Sequence, residues 1–435
     1  MSHSKNLRKM PNFGEIPNLE RLKLEGCEKL VLVDPPIGVL RNLVVLNLKD
    51  CKNLASIPNN IFGMSSLKDL NLSGCPKVFK NQRRLKKFDS SESSSHFQST
   101  TSSIFKWTTL IRFRSKDSTT CLLRSLLSFS CLRKLDISFC GLSQLFDAIG
   151  CLRCLEELNL GGNNFVTLPS LKDLSKLLCL NLEHCKLLES LPQLPFPTAI
   201  KHDLPIDNID EANFCKIIGL VIFNCPKLGE SERCSSMAFS WMTQLIRARQ
   251  QSSTASFHEI IDIVIPGSEV PIWFNNKSEG DSIKMDISPI MHDDNDIIGI
   301  VRCVVFSVAP VDPTITYAEG PHNIVFRISN SKTHCMWGTN CPVILESDLI
   351  VDKSNHMCLV YYPLELFVEI IKCVDMTLNY LDDIKLTVLT RNAKGLNLEV
   401  QSCGYHWVYK QESRSCIATE FPQLGRAKLE SQSYI

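Results

Sequence analysis

Twenty cysteines and ten histidines supply enough soft ligands and nucleophiles to ask first for metal and thiol chemistry. His334, Cys335, Cys341, His356 and Cys358 form the densest group, but neither half has the Cys-x-x-Cys or His-x-x-x-His spacing that brings two side chains to one zinc ion. Cys151-Leu-Arg-Cys154 has the spacing of a dithiol, yet it lies on a segment leading into Leu155 where no redox role is expected. Gly-x-Ser-x-Gly, His-Glu-x-x-His and the phosphate-cradling Gly-x-x-x-x-Gly-Lys-Ser/Thr do not occur. No catalytic residue, metal ligand or cofactor is therefore assigned.

The thiols fall into a register instead. Leu19-Leu22-Leu24-Cys27, Leu43-Leu46-Leu48-Cys51 and Leu67-Leu70-Leu72-Cys75 share the pattern Leu-x-x-Leu-x-Leu-x-x-Cys/Asn, with first leucines 24 residues apart. The pattern resumes at Leu132-Leu135-Ile137-Cys140, Leu155-Leu158-Leu160-Asn163 and Leu177-Leu180-Leu182-Cys185, and degenerates at Ile217-Leu220-Ile222-Cys225. This period predicts an α/β leucine-rich-repeat solenoid. Each repeat puts its leucines inward on a short strand and then turns, leaving backbone groups inside that need a partner. Asn163 and the six thiols at 27, 51, 75, 140, 185 and 225 sit where that partner is needed.

Residues between the inward leucines face outward. Arg21, Lys23, Glu25, Asn47, Lys49, Asp69, Asn71, Lys134, Asp136, Glu157, Asn159, Asn181 and Glu183 thus form a polar face of mixed sign, the candidate protein-binding surface. Ser73 and Ser138 belong to the same outward rows. The balance of 47 basic against 46 acidic residues gives no reason to expect nucleic acid as a partner. No apolar run reaches the roughly 20 residues that span a bilayer, so no membrane is expected either.

The repeat series occupies 1–228 and is interrupted at about 79–128. Between Lys80 and Lys116 nine Lys/Arg stand against Asp89 and Glu92, a local charge of +7, and a Ser/Thr-rich run follows Arg83-Arg84-Leu85-Lys86-Lys87. The interruption reads as a solvated insertion, and its basic run as a candidate nuclear-import signal. Ser4 falls in phase with Cys27, so the polypeptide is expected to begin inside a repeat, as a truncated form or the later part of a longer protein. Residues 229–256 are expected to be a linker helix, with Met237, Trp241, Met242, Leu245 and Ile246 at helical spacing covering the last repeat.

From His258 the period becomes that of strands: 260–265, 283–287, 297–308, 324–328, 357–362, 384–389, 398–402 and 405–409 are β-rich runs between turn residues. They predict an all-β domain over 257–411, an antiparallel sandwich or jelly roll, before a tail at 412–435.

Ile263-Val-Ile-Pro-Gly-Ser-Glu-Val-Pro-Ile-Trp-Phe274, with Ser278-Glu-Gly280, resembles the opening of the post-repeat domain (C-JID) of plant Toll/interleukin-1-receptor-type nucleotide-binding immune receptors. Residues 298–306 and 400–409 resemble later stretches of that domain, and 5–19 and 159–169 resemble the family's repeats. The resemblance implies a ligand-sensing, autoinhibitory part of a disease-resistance receptor in the cytoplasm, with the nucleus as a second destination through the basic run. It implies a pathogen effector or a guarded host protein as partner, and a nucleotide-binding receptor domain in cis or in trans. The family's NAD-cleaving and nucleotide-switch domains find no counterpart in these residues, so no enzyme activity is expected. In the post-repeat motif, Trp273 and Phe274 are expected in the core, and Pro266, Gly267 and Pro271 in turns. The alternative reading is a freestanding repeat adaptor between host proteins.

Overall fold

A computed structural model of the chain describes residues 1–10, 13, 15–33, 35–80, 128–145, 147–198, 217–229, 232–252, 260–291, 296–310, 322–330, 332, 336–343, 353–374, 383–391 and 396–414. The basic run at 83–87, the Ser/Thr-rich run, His334, Cys335 and the tail beyond 414 lie outside them. The chain forms two compact units, Met1–Leu155 and Glu156–Ile435.

In the first unit, β1 (Arg21–Lys23), β2 (Val45–Asn47), β3 (Asp69–Asn71) and β4 (Lys134–Asp136) pair in parallel, with Leu22, Leu46, Leu70 and Leu135 in one row. In the second, β5 (Glu157–Asn159), β6 (Cys179–Asn181) and β7 (Ile217–Val221) continue the same pattern. Leu19 is half-buried, and the other pattern leucines are buried. Return segments are mostly 3-10 turns, at Pro35–Val39, Asn59–Gly63 and Asp147–Cys151, so the helical half of the expected α/β repeat is reduced to short turns.

The thiols do what their register implies. Cys51 Sγ donates to the Leu24 carbonyl at 3.2 Å, Cys75 to Leu48 at 3.0 Å, Cys140 to Leu72 at 3.1 Å, Cys185 to Leu160 at 3.5 Å and Cys225 to Leu182 at 3.1 Å. Each accepting carbonyl belongs to the repeat before, so the column stitches successive rungs. Asn163 instead donates to Leu160 within its own repeat, at 2.8 Å. Burial pushes the Cys51, Cys140 and Cys185 thiols up to about 12, and Cys75 and Cys225 are also raised by burial. They are protonated donors, not nucleophiles.

The residue before each of these positions carries the turn. His3, Gly26, Asp50, Gly74, Phe139, Gly162, His184 and Asn224 all have φ between +53° and +68°. This left-handed step lets the next rung's carbonyl be reached: Gly26 N donates to Lys49 O, Asp50 N to Ser73 O, Gly74 N to Ser138 O, and Gly162 N to Glu183 O. Gly, Asn and Asp tolerate such a backbone, which was the available sequence signal for the turn.

After β7 the sheet changes character. Helix α1 (Glu232–Gln250) precedes β8 (Ile260–Pro266), which pairs in parallel with β7 and antiparallel with β14 (Ser354–Pro363). Next to β14 lie β11 (Ile297–Pro310), β16 (Leu396–Tyr409) and β9 (Asn276–Glu279). A second antiparallel sheet has the order β10 (Ser282–Lys284), β15 (Ile384–Arg391), β12 (His322–Asn330), β13 (Met336–Val343). The runs at 398–402 and 405–409 are one strand, not two. β9 and β13 were not anticipated, because Asn276–Glu279 is polar and 336–343 contains Gly and Pro. The domain also departs from the all-β expectation by α2 (Leu364–Val374), whose Phe367, Ile370, Ile371 and Val374 join the core between the sheets.

At β8, β14 and β11 the larger sheet is buried on both faces. Val264, Val360, Tyr362, Ile300, Val304 and Tyr405 pack against Phe326, Ile328, Leu386 and Val388 of the smaller sheet. The opposite face of β8 carries buried Ile261, Ile263 and Ile265, and α1 packs on it through a stripe that includes Ala238, Trp241, Met242 and Leu245. The helix thus covers mainly β8 rather than the last repeat, and double-sided covering explains why β8 reads as a continuous apolar run. Arg302 is fully buried in the core between the sheets, its guanidinium 3.8 Å from the centre of the Tyr362 ring and 4.8 Å from that of Phe326. Burial lowers the Arg302 pKa, and Tyr362, whose ring face attracts the cation, and Asp262, two strands away in the same register row, partly offset it.

Candidate protein-binding surface

On β1 the pattern is exposed, buried, exposed, and on β2 to β6 the flanking residues remain half-exposed. Arg21, Lys23, Asp69, Lys134 and Glu157 stand on these outward positions. Glu25 and Lys49 lie 3.9 Å apart, and Asn47 Nδ2 donates to Glu25 at 3.3 Å, so in the first unit opposite charges meet on neighbouring rungs. Ser73 and Ser138 do not face solvent. Both are buried, with their hydroxyls 2.7 Å apart.

Several of the strand-face candidates share one backbone contact. Asn47, Asn71, Asp136, Asn159 and Asn181 each accept a hydrogen bond on Oδ1 from the N–H two residues on, at 2.8–3.0 Å. This is a local side-chain turn repeated on β2 to β6, and it starts the bend that the left-handed residue completes. On two pairs of rungs the second polar atom reaches the neighbouring rung: Asn47 Nδ2 donates to Glu25 at 3.3 Å and Asn71 Nδ2 to Asp136 Oδ2 at 3.4 Å. Charged candidates and turn-forming candidates therefore occupy one face with different duties.

In the post-repeat motif, Pro266 ends β8 opposite His356, and Gly267 N donates to Asn355 O at 3.3 Å. Phe274 N donates to Pro271 O at 3.0 Å, closing a turn that buries Phe274 and leaves Trp273 half-buried. Trp273 packs between Phe274 at 4.3 Å, His406 at 5.2 Å and Phe239 of α1 at 5.7 Å between ring centres. The residue at the tip of that turn, Ile272, is 70% exposed, and the sequence reading did not single it out.

Where the repeats meet the post-repeat sheet, a polar chain is buried. His184 Nδ1 lies 2.8 Å from Asn224 Nδ2, and Asn224 N donates to His356 Nε2 at 3.3 Å. The His356 ring stacks on Phe223, with centres 4.4 Å apart. Burial holds both imidazoles down at about 4, so both are neutral near pH 7. His356 is thus committed to this joint, and among the described residues no three His, Cys, Asp or Glu side chains gather as metal ligands. No described helix is long and apolar enough to cross a membrane. Beside His356, a cleft of about 500 Å³ is lined by Asn224, Pro226, Pro266, Lys353 and Asn355.

Comparison with known proteins gives three findings. The C-JID domain family model matches residues 265–414. The disease resistance-like protein DSC1 of Arabidopsis thaliana is 30% identical over 197 residues, covering 42% of this chain and 16% of that protein. A leucine-rich-repeat protein of Leptospira interrogans is similar at 19% identity, over 52% of this chain and 56% of that one, with a TM-score of 0.26. The chain spans only a small part of its plant relative's length. It carries, over residues 265–414, a C-JID domain, and it is related through part of its length to a plant disease resistance-like protein.

Proposed function

We propose that the chain is the ligand-sensing, autoinhibitory C-terminal portion of an intracellular plant immune receptor. Its strand face and C-JID domain meet a pathogen effector or a guarded host protein, and a nucleotide-binding receptor domain, in cis or in trans, is restrained until they do. The observation that supports this most is the parallel pairing of β7 with β8 from Ile217 opposite Ile260 to Val221 opposite Val264. The rungs bearing Glu157, Asn159, Asn181 and Glu183 and the strands of the C-JID domain belong to one hydrogen-bonded sheet, so a partner bound on either side loads the other through backbone rather than through a hinge. Hot spots on such a face are few and charged or aromatic residues dominate them.

The test is co-immunoprecipitation from plant cells of the tagged chain against a panel of pathogen effectors and against the nucleotide-binding domain of a full-length relative. Capture of at least one is expected, and the Glu157→Lys, Glu183→Lys double variant should weaken it by about tenfold. A chain that captures neither class overturns the reading.

A further inference from the structure

Of the ten described cysteines in the repeats, six (Cys27, Cys51, Cys75, Cys140, Cys185 and Cys225) are buried at the column position described above. Cys131 and Cys154 are not: Cys131 is exposed and Cys154 half-exposed, and both lie in the first unit. Each immediately precedes the first leucine of its repeat, Leu132 and Leu155. They therefore occupy the same position in successive repeats.

Two observations in the same unit show what that position does. In the first two repeats it holds Asn18 and Asn42, and Asn42 Nδ2 donates to Asn18 Oδ1 at 3.2 Å, so side chains of this column reach one another across a rung. Two residues further on, the backbone ladder begins: Val44 N donates to Glu20 O at 2.7 Å, Lys68 N to Val44 O at 2.9 Å and Arg133 N to Lys68 O at 2.8 Å. Adjacent strands lie about 4.8 Å apart, and a disulfide needs its Cα atoms roughly 4.4–6.8 Å apart. By the same repeat spacing, the two accessible thiols at this position would come within disulfide reach of each other.

We propose that Cys131 and Cys154 form a reversible oxidation site, closed to a disulfide by peroxide. The thiolate of one cysteine attacks hydrogen peroxide, breaking the O–O bond to give a sulfenic acid and, after protonation, water. The second thiol then attacks the sulfenic sulfur, forming the S–S bond and releasing the oxygen as a second water. Two thiols lose one electron each, and one peroxide takes both. The product clips two successive rungs together, and a thiol reductant reopens it.

Trypsin separates the thiols involved. Cleavage after Arg124, Arg133, Lys134, Arg153 and Lys172 leaves Cys131 in peptide 125–133, Cys151 with Cys140 in 135–153, and Cys154 in 154–172. The full chain is treated with hydrogen peroxide, capped with N-ethylmaleimide, digested without reduction and read by mass spectrometry. Peptide 125–133 joined to 154–172 is expected, from protein that runs as a monomer on a non-reducing gel. Dithiothreitol should abolish the link, Cys131→Ser should leave Cys154 capped, and Cys151→Ser should leave the link intact. Peptides 125–133 and 154–172 both recovered as capped monomers, a link from 125–133 to 135–153, or a link found only in a disulfide dimer would each overturn the proposal.

Discussion

At the scale of single residues, Asp136 separates the two duties of the strand face. Its Oδ1 accepts from Ser138 N at 3.0 Å and from Ser138 Oγ at 2.7 Å, while Oδ2 takes a bond from Asn71. Other rungs place Asn at this position with the same acceptor geometry, which shows that the turn needs the oxygen and not the charge. Asp136→Asn should therefore shift stability by only a few tenths of a kcal/mol, whereas Asp136→Ala leaves a part-buried N–H without its acceptor and should cost about 1–3 kcal/mol. Urea midpoints of the two variants decide it, and equal losses would mean that the charge matters. The same logic reassigns Asn47, Asn71, Asn159 and Asn181: a binding defect in their alanine variants reports a disturbed turn first.

At the scale of elements, the join between β7 and β8 depends on one glycine. Gly219 has φ of +146°, and a Cβ built there would stand 1.7 Å from the Asp262 carbonyl oxygen of β8. Both strain and clash act at the same backbone. Gly219→Ala should destabilise the second unit by about 2–4 kcal/mol, because neither strand can retreat without losing ladder bonds. Thermal unfolding followed by circular dichroism tests this, and an unchanged midpoint would remove the junction from the argument. How much of this was legible follows from the physics of each element. The repeats announce themselves because a 24-residue period puts leucine, leucine and cysteine at fixed places, and the strands at Leu22, Leu46 and Leu70 lie where that period puts them. The continuation of the sheet into β8 was not legible, since Ile217-Ile-Gly-Leu-Val and Ile260-Ile-Asp-Ile-Val share no repeat pattern and pair only through backbone. Arg302 was equally hidden: a cation inside an apolar run gives no sign that two rings on other strands will enclose it.

At the scale of the whole molecule, the polar chain between repeats and C-JID domain makes folding sensitive to acid. His184 is 5% exposed and His356 1% exposed, and burial is the main cause that brings each down to about 4, with Lys186 adding to the effect on His184. For a base whose folded value is depressed, the native state stays neutral while the unfolded chain takes up protons below its ordinary value near 6.5. Stability is therefore fully present above about pH 6.5 and falls as pH drops toward 4, with a ceiling of about 3 kcal/mol for each histidine. The loss should fall at the junction: protonating His356 breaks its bond from Asn224 N, which links the last repeat to β14, and protonating His184 disturbs Asn224 from the repeat side. His356→Gln keeps a hydrogen-bonding group without a titrating one. Its stability at pH 7 should be lower than that of the parent, from the lost stacking on Phe223, but its decline between pH 6.5 and 4.5 should be about half as steep. Denaturant midpoints taken at three or four pH values would show the two slopes, and parallel lines would place the acid sensitivity elsewhere.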